Sequence, residues 1–549
     1  MTDALQVPVL IAGGGPVGTT LALDLAARGI RSLVVEERLA MPPNPKCNTT
    51  NARSMEHFRR LGCADAIRRV GLPLAHPTDV VYATRWRGQE LTRYRLRSSA
   101  EVLAGEDHRG AIDTGWPTPE PQHRISQLAM EPVVRAHLRT YPQCNYREGW
   151  RFLSYEADTD GVNCVVEACA TGQQQRVRAQ YLVSCEGGHS RIRRAMGVRL
   201  EGRECVSKFC TTYLRAPALK ARWPHATAWM HRLYNADGES HIIAIDGQDL
   251  WLHHSILGPE GDLDAHDHRP ALRDAFGEDF DYEVLGQERW IARALVADRY
   301  RDERVFLCGD AAHIWIPMGG FGMNAGVEDA VNLSWKLAAV LQDWAPPSLL
   351  ESYEAERRPI GQLVAASAAK IFETLYRIPV QDPRLEASGP EAEAFRRAVG
   401  ESITAQNVAE FDSIGMQLGI TYDASPIVCH DGEVLPPFAI NRYTESSVPG
   451  ARAPHFWRAP QRALYDDLGQ GFSLLCFQPA LDLEPLVAAF AARQLPLTLL
   501  RIDDVDAAAR YQHYALVLVR PDQHIAWRAQ QLPGDLTAVL NRITGVTAS

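Results

Sequence analysis

The sequence predicts an α/β fold: a Rossmann-like nucleotide-binding domain interrupted by an inserted antiparallel sheet and followed by a separate C-terminal αβ domain. Three observations predict it. A glycine fingerprint at 13–18 stands between an apolar strand and an amphipathic helix, alternating aromatic-bearing runs fill 203–295, and a strand–helix–strand pattern begins at Gly471. The 549 residues leave room for several such units, each of roughly 150 residues.

The first element pair lies in VPVLIAGGGPVGTTLALDLAARGIRSLVVEE. Gly13 permits a tight turn, Gly15 lets the backbone approach a pyrophosphate, and Gly18 lets the helix lie close on the sheet. Pro16 and Val17 complete the loop and are counted with it as cofactor-binding. The helix N-terminus offers free N–H groups and a positive dipole end to phosphates. Gly29 ends the helix, and Glu36 closes the second strand where a carboxylate can accept from an unphosphorylated ribose, favouring FAD or NAD over NADP at this site.

The same domain resumes at RVFLCGDAAHIWIPMGGFGMN, a strand ending in a carboxylate and followed by a Pro/Gly-rich turn. Asp310 is placed to accept from ribityl hydroxyls. Beyond Pro317, Gly319, Gly320 and Gly322 clear a surface that a flat ring could cover. A helix from about Met323 would then turn the amides of Gly322, Met323 and Asn324 toward the N1 and C2 carbonyl edge of an isoalloxazine, where reduced flavin carries negative charge. The cofactor expected is FAD.

Composition bounds the partners. The 46% hydrophobic and 23% charged content is that of a soluble globular protein, and a net charge of -10 without a basic run argues against nucleic acid and anionic membranes. No cationic leader and no apolar run of membrane-spanning length stands out, so the chain reads as cytoplasmic. Eleven cysteines without a Cys-x-x-Cys pair read as reduced thiols. His253 with His254, and His266 with His268, lack further ligands at useful spacing, so no metal is expected.

GGGPVG, CEGGHSRIRR (185–194) and GDAAHIWIPMGGFGMN resemble, in order and spacing, the three signatures of class A flavoprotein monooxygenases such as p-hydroxybenzoate hydroxylase and phenol hydroxylase. NARSMEHFRRLG (51–62), RISQLAMEPVVRAHL (124–138) and ESYEAERRP (351–359) add to the likeness, which runs from about Val7 to Ile360 and more weakly beyond. The resemblance implies that the middle signature, through Glu186, Gly187, Ser190 and Arg193, serves both FAD and NAD(P)H. One departure is that Glu186 stands where the family usually has Asp. It further implies that Lys46, Arg53 and Gln127 lie at the nucleotide or flavin. An arginine on a helix surface is the competing reading of Arg53.

Runs such as KFCTTYLRAP, ATAWMHRLYN, HIIAIDG and DLWLHHSIL read as antiparallel strands that could roof a cavity for a planar substrate. Tyr213, Trp229, His231, Trp251 and His254 are the candidate lining residues, although alternation turns only about half of such residues inward. The expected domains are 1–200 with 290–360 for FAD, 75–125 with 201–290 for substrate, a helical linker at 361–425, and a unit at 426–549. The last resembles the thioredoxin-like C-terminal domain of the phenol hydroxylase and 2,4-dichlorophenol hydroxylase subgroup. Lacking Cys-x-x-Cys, it reads as a packing or dimer-forming unit rather than a disulfide exchanger, and a homodimer is expected.

The resemblance implies a monooxygenase that uses NADPH or NADH and O₂, through a flavin C4a-hydroperoxide, to hydroxylate a phenolic or polycyclic aromatic substrate. Its protein must help a phenol lose its proton. Phenol hydroxylase has an aspartate before the segment matching NARSM, whereas Asn48 stands here. His231, His254 and the backbone carbonyl of Pro317 are the candidates for that role. Same-fold epoxidation, oxidative ring cleavage or halogenation are alternatives, as is a non-catalytic flavin-binding protein. His313 stands where a halogenase motif would have a second tryptophan.

Overall fold

A computed structural model describes residues 4–42, 44–105, 110–375, 378 and 381–546. Its first sheet has the order Arg301–Asp302, Val305–Leu307, Gln174–Ser184, Leu5–Ala12, Ser32–Glu36, Cys144–Glu148. From Val305 to Glu148 the neighbours are parallel: Val305 aligns with Leu182, Leu10 with Leu182 and Leu33, and Val34 with Tyr146. Val9–Ala12 and Leu33–Val35 are buried, as the near-continuous apolar run of a parallel strand covered on both faces requires. The antiparallel hairpin Trp150–Asp158 and Gly161–Ala168 extends the sheet through Gln174–Ser184.

The second sheet has eight strands in the order His313–Trp315, Glu283–Ala297, Leu200–Arg215, Leu250–Gly258, Gly238–Ala244, Met230–Asn235, Val80–Ala83, Glu90–Tyr94. Segments at 80–94 and 200–297 therefore share one sheet, and its strand Glu283–Ala297 runs across residue 290. His313–Trp315 of the flavin-ring turn pairs with Ala294–Val296, so the long strand physically ties the sheet to the nucleotide domain.

Helix Phe321–Leu341 packs on the fingerprint helix Pro16–Ala27 and on Glu351–Leu375. Beyond it, the C-terminal unit is a four-stranded sheet ordered Leu497–Arg501, Phe472–Cys476, Leu516–Val519, Ile525–Ala529, with helices Glu484–Ala492 and Leu536–Ile543. The first two strands are parallel and the rest antiparallel. The structure adds helix Val505–Arg510, which the pattern reading passes over although Asp504 caps it by accepting from Ala507 N at 2.9 Å. All eleven cysteines are free thiols. Among the described residues no helix is long and apolar enough to cross a membrane, and no cluster of three metal-ligating groups occurs.

Candidate active site

The three signatures converge at the carboxyl ends of neighbouring parallel strands, where open α/β sheets bind ligands. Cys185 N donates to Ala12 O at 2.7 Å and Cys308 N to Ser184 O at 3.0 Å, so the strand ends lie side by side. The fingerprint glycines divide their labour as the sequence suggests. Gly13 adopts φ 101°, and a Cβ there would lie 2.2 Å from Cys185 O. A Cβ on Gly18 would lie 2.0 Å from Gly13 O, so the helix can approach its own turn only without a side chain. At Gly15 a Cβ would meet nothing within 4 Å, which leaves the backbone open toward a ligand. Pro16 occupies the first turn of the helix, where its missing N–H costs nothing. Val17 instead packs against Gly309 and Gly326, interlocking the first and third signatures.

Glu36 ends its strand buried, accepting from Gly14 N at 2.8 Å and from Arg38 Nε at 2.9 Å. This fixes a carboxylate at the mouth of the phosphate turn. Tyr146, to which the sequence alone gave no role, closes the same turn by donating to Gly14 O at 2.8 Å.

In the middle signature the longer Glu186 side chain reaches around its own loop. Its Oε2 accepts from Ser190 Oγ at 2.8 Å, Ile192 N at 3.0 Å and Ser184 Oγ at 3.1 Å. Ser190 caps the following helix through Arg193 N at 3.0 Å. Arg193 then donates to Ala311 O at 3.0 Å and Gly188 O at 2.7 Å, joining the middle signature to the third. A Cβ on Gly187 would also meet nothing within 4 Å, but unlike Gly15 this residue sits at φ 77°, which side chains rarely adopt.

Asp310 is accessible to solvent yet sits deep enough that burial pushes its carboxyl above the usual value, against the pull of His313 and Lys46. The turn bearing it is held from behind by residues that the sequence alone does not single out. Asp329 accepts from Gly309 N at 3.1 Å, contacts His313 Nε2 at 2.7 Å and pairs with Arg357 Nε at 2.6 Å. Burial raises the Asp329 carboxyl, but Arg357 and His313 outweigh burial and hold it at about 2. Arg357 belongs to ESYEAERRP, so the motif was visible while its purpose was not.

The ring turn ends in helix Phe321–Leu341, two residues earlier than expected, with Gly320 at φ 68° as its N-cap. Gly322 and Met323 are half-buried, and the amides of this first turn have no intrahelical acceptor. The Asn324 side chain is spent on structure: it accepts from Asn51 N at 2.9 Å and donates to Thr49 O at 3.0 Å and Gly320 O at 2.6 Å. It thereby clamps the 49–51 segment to the ring turn. Pro317 is exposed, and its carbonyl accepts from Gly320 N at 3.1 Å.

Several candidates are placed elsewhere. Arg53 is not a surface arginine and its described bonds are not directed at a nucleotide: it donates to Glu56 Oε2 at 2.7 Å, Gln523 Oε1 at 2.6 Å and Asp522 O at 2.6 Å, tying the C-terminal unit to the core. Gln127 donates to Glu131 in its own helix. Asn48 is half-buried, and its Oδ1 has no protein partner.

Sheet register separates the remaining candidates. His231 and Trp251 fall on the face covered by helix His268–Phe276. There His231 lies 4.5 Å from both Trp86 and Trp223, and Trp251 meets Trp86 edge-on at 5.5 Å. Burial drives His231 down to about 3, which makes this enclosed ring a weak base. Trp251 likewise belongs to that packed cluster and not to a substrate pocket. Tyr213 and His254 take the opposite face. His254 Nδ1 lies 2.7 Å from Thr211 Oγ1, and burial lowers it to about 4, which makes it a weak base. Trp229 faces Arg124, whose Cζ lies 4.5 Å over the indole.

Comparison with known proteins agrees with this geometry. Residues 6–368 match the family profile described as FAD binding domain, and 446–547 match the aromatic-ring hydroxylase C-terminal profile. An FAD-dependent monooxygenase of Emericella nidulans is 31% identical, over 95% of this chain and 88% of its own. Phenol 2-monooxygenase of a Pseudomonas species is 27% identical over 99% and 93%. Among solved structures, the rebeccamycin biosynthetic enzyme RebC with bound 7-carboxy-K252c superposes with a TM-score of 0.90 at 36% identity, covering 99% of this chain and 100% of that one. The chain belongs to the class A FAD-dependent aromatic hydroxylases, in the subgroup that carries the aromatic-ring hydroxylase C-terminal domain.

Proposed function

We propose that the protein hydroxylates a phenolic or fused polycyclic aromatic substrate, using NADPH or NADH and O₂. The observation that carries this reading is the junction of three signatures at one set of strand ends, with Asp310 and the first turn of helix Phe321–Leu341 standing beside the eight-stranded sheet. Openings at Gly15 and Gly187 fit an FAD pyrophosphate and adenosine; Glu36 would bind the ribose and Asp310 the ribityl hydroxyls. Bound FAD supplies hydride acceptance and oxygen activation. The chain positions that cofactor, keeps water from it, and orients the ring to be attacked.

The amides at Gly322–Asn324 supply a positive dipole end for charge that builds on the flavin edge. Arg193 braces the turn that carries Asp310 through Ala311 O, and the middle signature with Glu186 would meet the nicotinamide nucleotide. His231 and His254 are weak bases, the Pro317 carbonyl already accepts from Gly320 N and Asn48 cannot accept a proton, so we rest deprotonation on stabilising the substrate anion.

Purified protein should carry FAD, should oxidise NADH or NADPH slowly alone, and should do so faster with a phenolic substrate. Product formed under ¹⁸O₂ should contain one labelled oxygen by mass spectrometry. Protein that neither retains nor takes up FAD, or product without label, would sink the reading.

A further inference from the structure

Among the described residues Arg124 is a buried arginine with no carboxylate paired to it; Arg193 is another, but it spends two donors on the Ala311 and Gly188 carbonyls. Arg124 is 6% exposed, its Nη1 donates to Thr49 Oγ1 at 2.7 Å, and its Nε has no partner. Arg53, Arg232, Arg357, Arg452 and Arg520 are buried as deeply, and each is paired directly with Glu or Asp. A buried cation without a paired anion is costly, which makes Arg124 a candidate to receive an anionic ligand.

Its surroundings say which ligand. Thr49 lies against the ring turn, since a Cβ on Gly320 would sit 3.1 Å from Thr49 Cβ, and Asn324 holds Thr49 O. On its other side the guanidinium Cζ stands 4.5 Å from the ring centre of Trp229, which leads into the strand Met230–Asn235 of the substrate sheet. Arg124 thus stands between the flavin turn and the sheet. The titratable groups that face it are Asp113, Glu410 and Cys47. Asp113 is held by Arg97 N at 3.0 Å with Arg97 Nε at 3.8 Å, and Glu410 is paired to Arg232 at 2.6 Å. Cys47 is a thiol that burial keeps protonated. Burial lowers the guanidinium to about 10, which still leaves it charged at neutral pH.

We propose that Arg124 is a positioning and specificity residue that binds the anionic oxygen of the aromatic substrate, with Trp229 as the flat surface beside it. This rests on the hydroxylase reading above. A phenol bound there gives its proton to solvent because the anion is the form the site holds, and no strong side-chain base is required.

Two probes that differ by one methyl group test this: 4-nitrophenol, which can ionise, and 4-nitroanisole, which cannot. Each is titrated into FAD-loaded protein, with the flavin absorbance change and the nitrophenolate band as readouts. Wild-type protein should bind nitrophenol as its anion and lower its apparent pKa. Arg124→Gln should weaken nitrophenol at least tenfold, about 1.4 kcal/mol, and change nitroanisole less than twofold. Arg124→Lys should fall between. FAD content and the anaerobic rate of flavin reduction by NAD(P)H with no substrate present should stay as in wild type; these two readouts report on the hydroxylase reading independently. Equal weakening of both probes, no binding of nitrophenolate by wild-type protein, or a lower FAD content in Arg124→Gln with normal content in Arg124→Lys would overturn the proposal.

Discussion

At the scale of single residues, Gly15 and Gly18 carry the same letter for opposite reasons. A methyl on Gly18 would collide with Gly13 O at 2.0 Å, whereas a methyl on Gly15 would enter open space at φ -70°. Gly18→Ala should therefore destabilise the fold itself by about 1–3 kcal/mol, the usual range for overpacking. Gly15→Ala should leave apoprotein melting unchanged and weaken FAD binding at least tenfold. Melting of apoprotein alongside fluorescence titration with FAD separates the two; a destabilised Gly15→Ala apoprotein would mean that this glycine serves the fold. Asp310→Ala belongs with Gly15→Ala. No described hydrogen bond ties the Asp310 carboxylate to the protein, so the substitution should cost flavin retention and not stability, and undiminished retention would reject the ribityl contact.

At the scale of elements, the turn that carries Asp310 depends on helices on both sides of it in space. Asp329 from Phe321–Leu341 and Arg357 from Glu351–Leu375 form a buried pair whose carboxylate also holds Gly309 N and His313. Asp329→Asn leaves Arg357 short of its partner and should cost about 3–5 kcal/mol, as broken buried pairs do. The Asp329 carboxyl falls from an ordinary 3.8 to about 2 in the fold. Its stabilising effect is complete above pH 3.8 and is lost as pH falls through 2, so acid should release flavin more steeply from wild type than from Asp329→Asn. Flavin fluorescence across an acid titration measures this, and superimposable curves would deny Asp329 the role. The same element shows what the sequence disclosed. Glycine spacing and strand–turn–helix order are local, so the signatures, the ring helix to within two residues, and most of the C-terminal order were legible. Asp329, Arg357 and Arg124 were not, because their meaning lies in contacts between segments far apart in the chain. The pleat hides the facing of His231 and Tyr213 in the same way: alternation is visible in one strand, but which face is covered depends on where helix His268–Phe276 folds back.

At the scale of the whole molecule, the C-terminal unit is joined to the nucleotide domain through charge as well as apolar contact. Glu356, on the long helix after the ring helix, accepts from Arg520 Nη1 at 2.6 Å and Nη2 at 2.9 Å and from Lys336 Nζ at 2.6 Å. Asp522 pairs with Arg520 at 2.7 Å and accepts from Trp335 Nε1 at 3.2 Å. On the neighbouring helix Ala52–Arg60, Glu56 is shared between Arg53 and Arg452. All these side chains are almost wholly buried, so salt should screen them little, unlike the partly exposed pair Arg59–Asp466 on the same boundary. Burial raises the Glu356 carboxyl, but Arg520 and Lys336 overcome that and hold it well below its ordinary 4.5. Its contribution is thus complete above pH 4.5 and is lost as pH falls through about 2. Glu356→Gln should lower the melting temperature markedly at pH 7, because two buried cations lose their shared anion, and its deficit should persist in high salt. Between pH 4.5 and about 2 the wild type should approach the variant, as the unfolded chain and then folded Glu356 take up the proton. Calorimetry in low and high salt at neutral and acid pH tests each statement. A deficit that salt abolishes, or one that stays constant into acid, would show that the two units are held together by something other than this network.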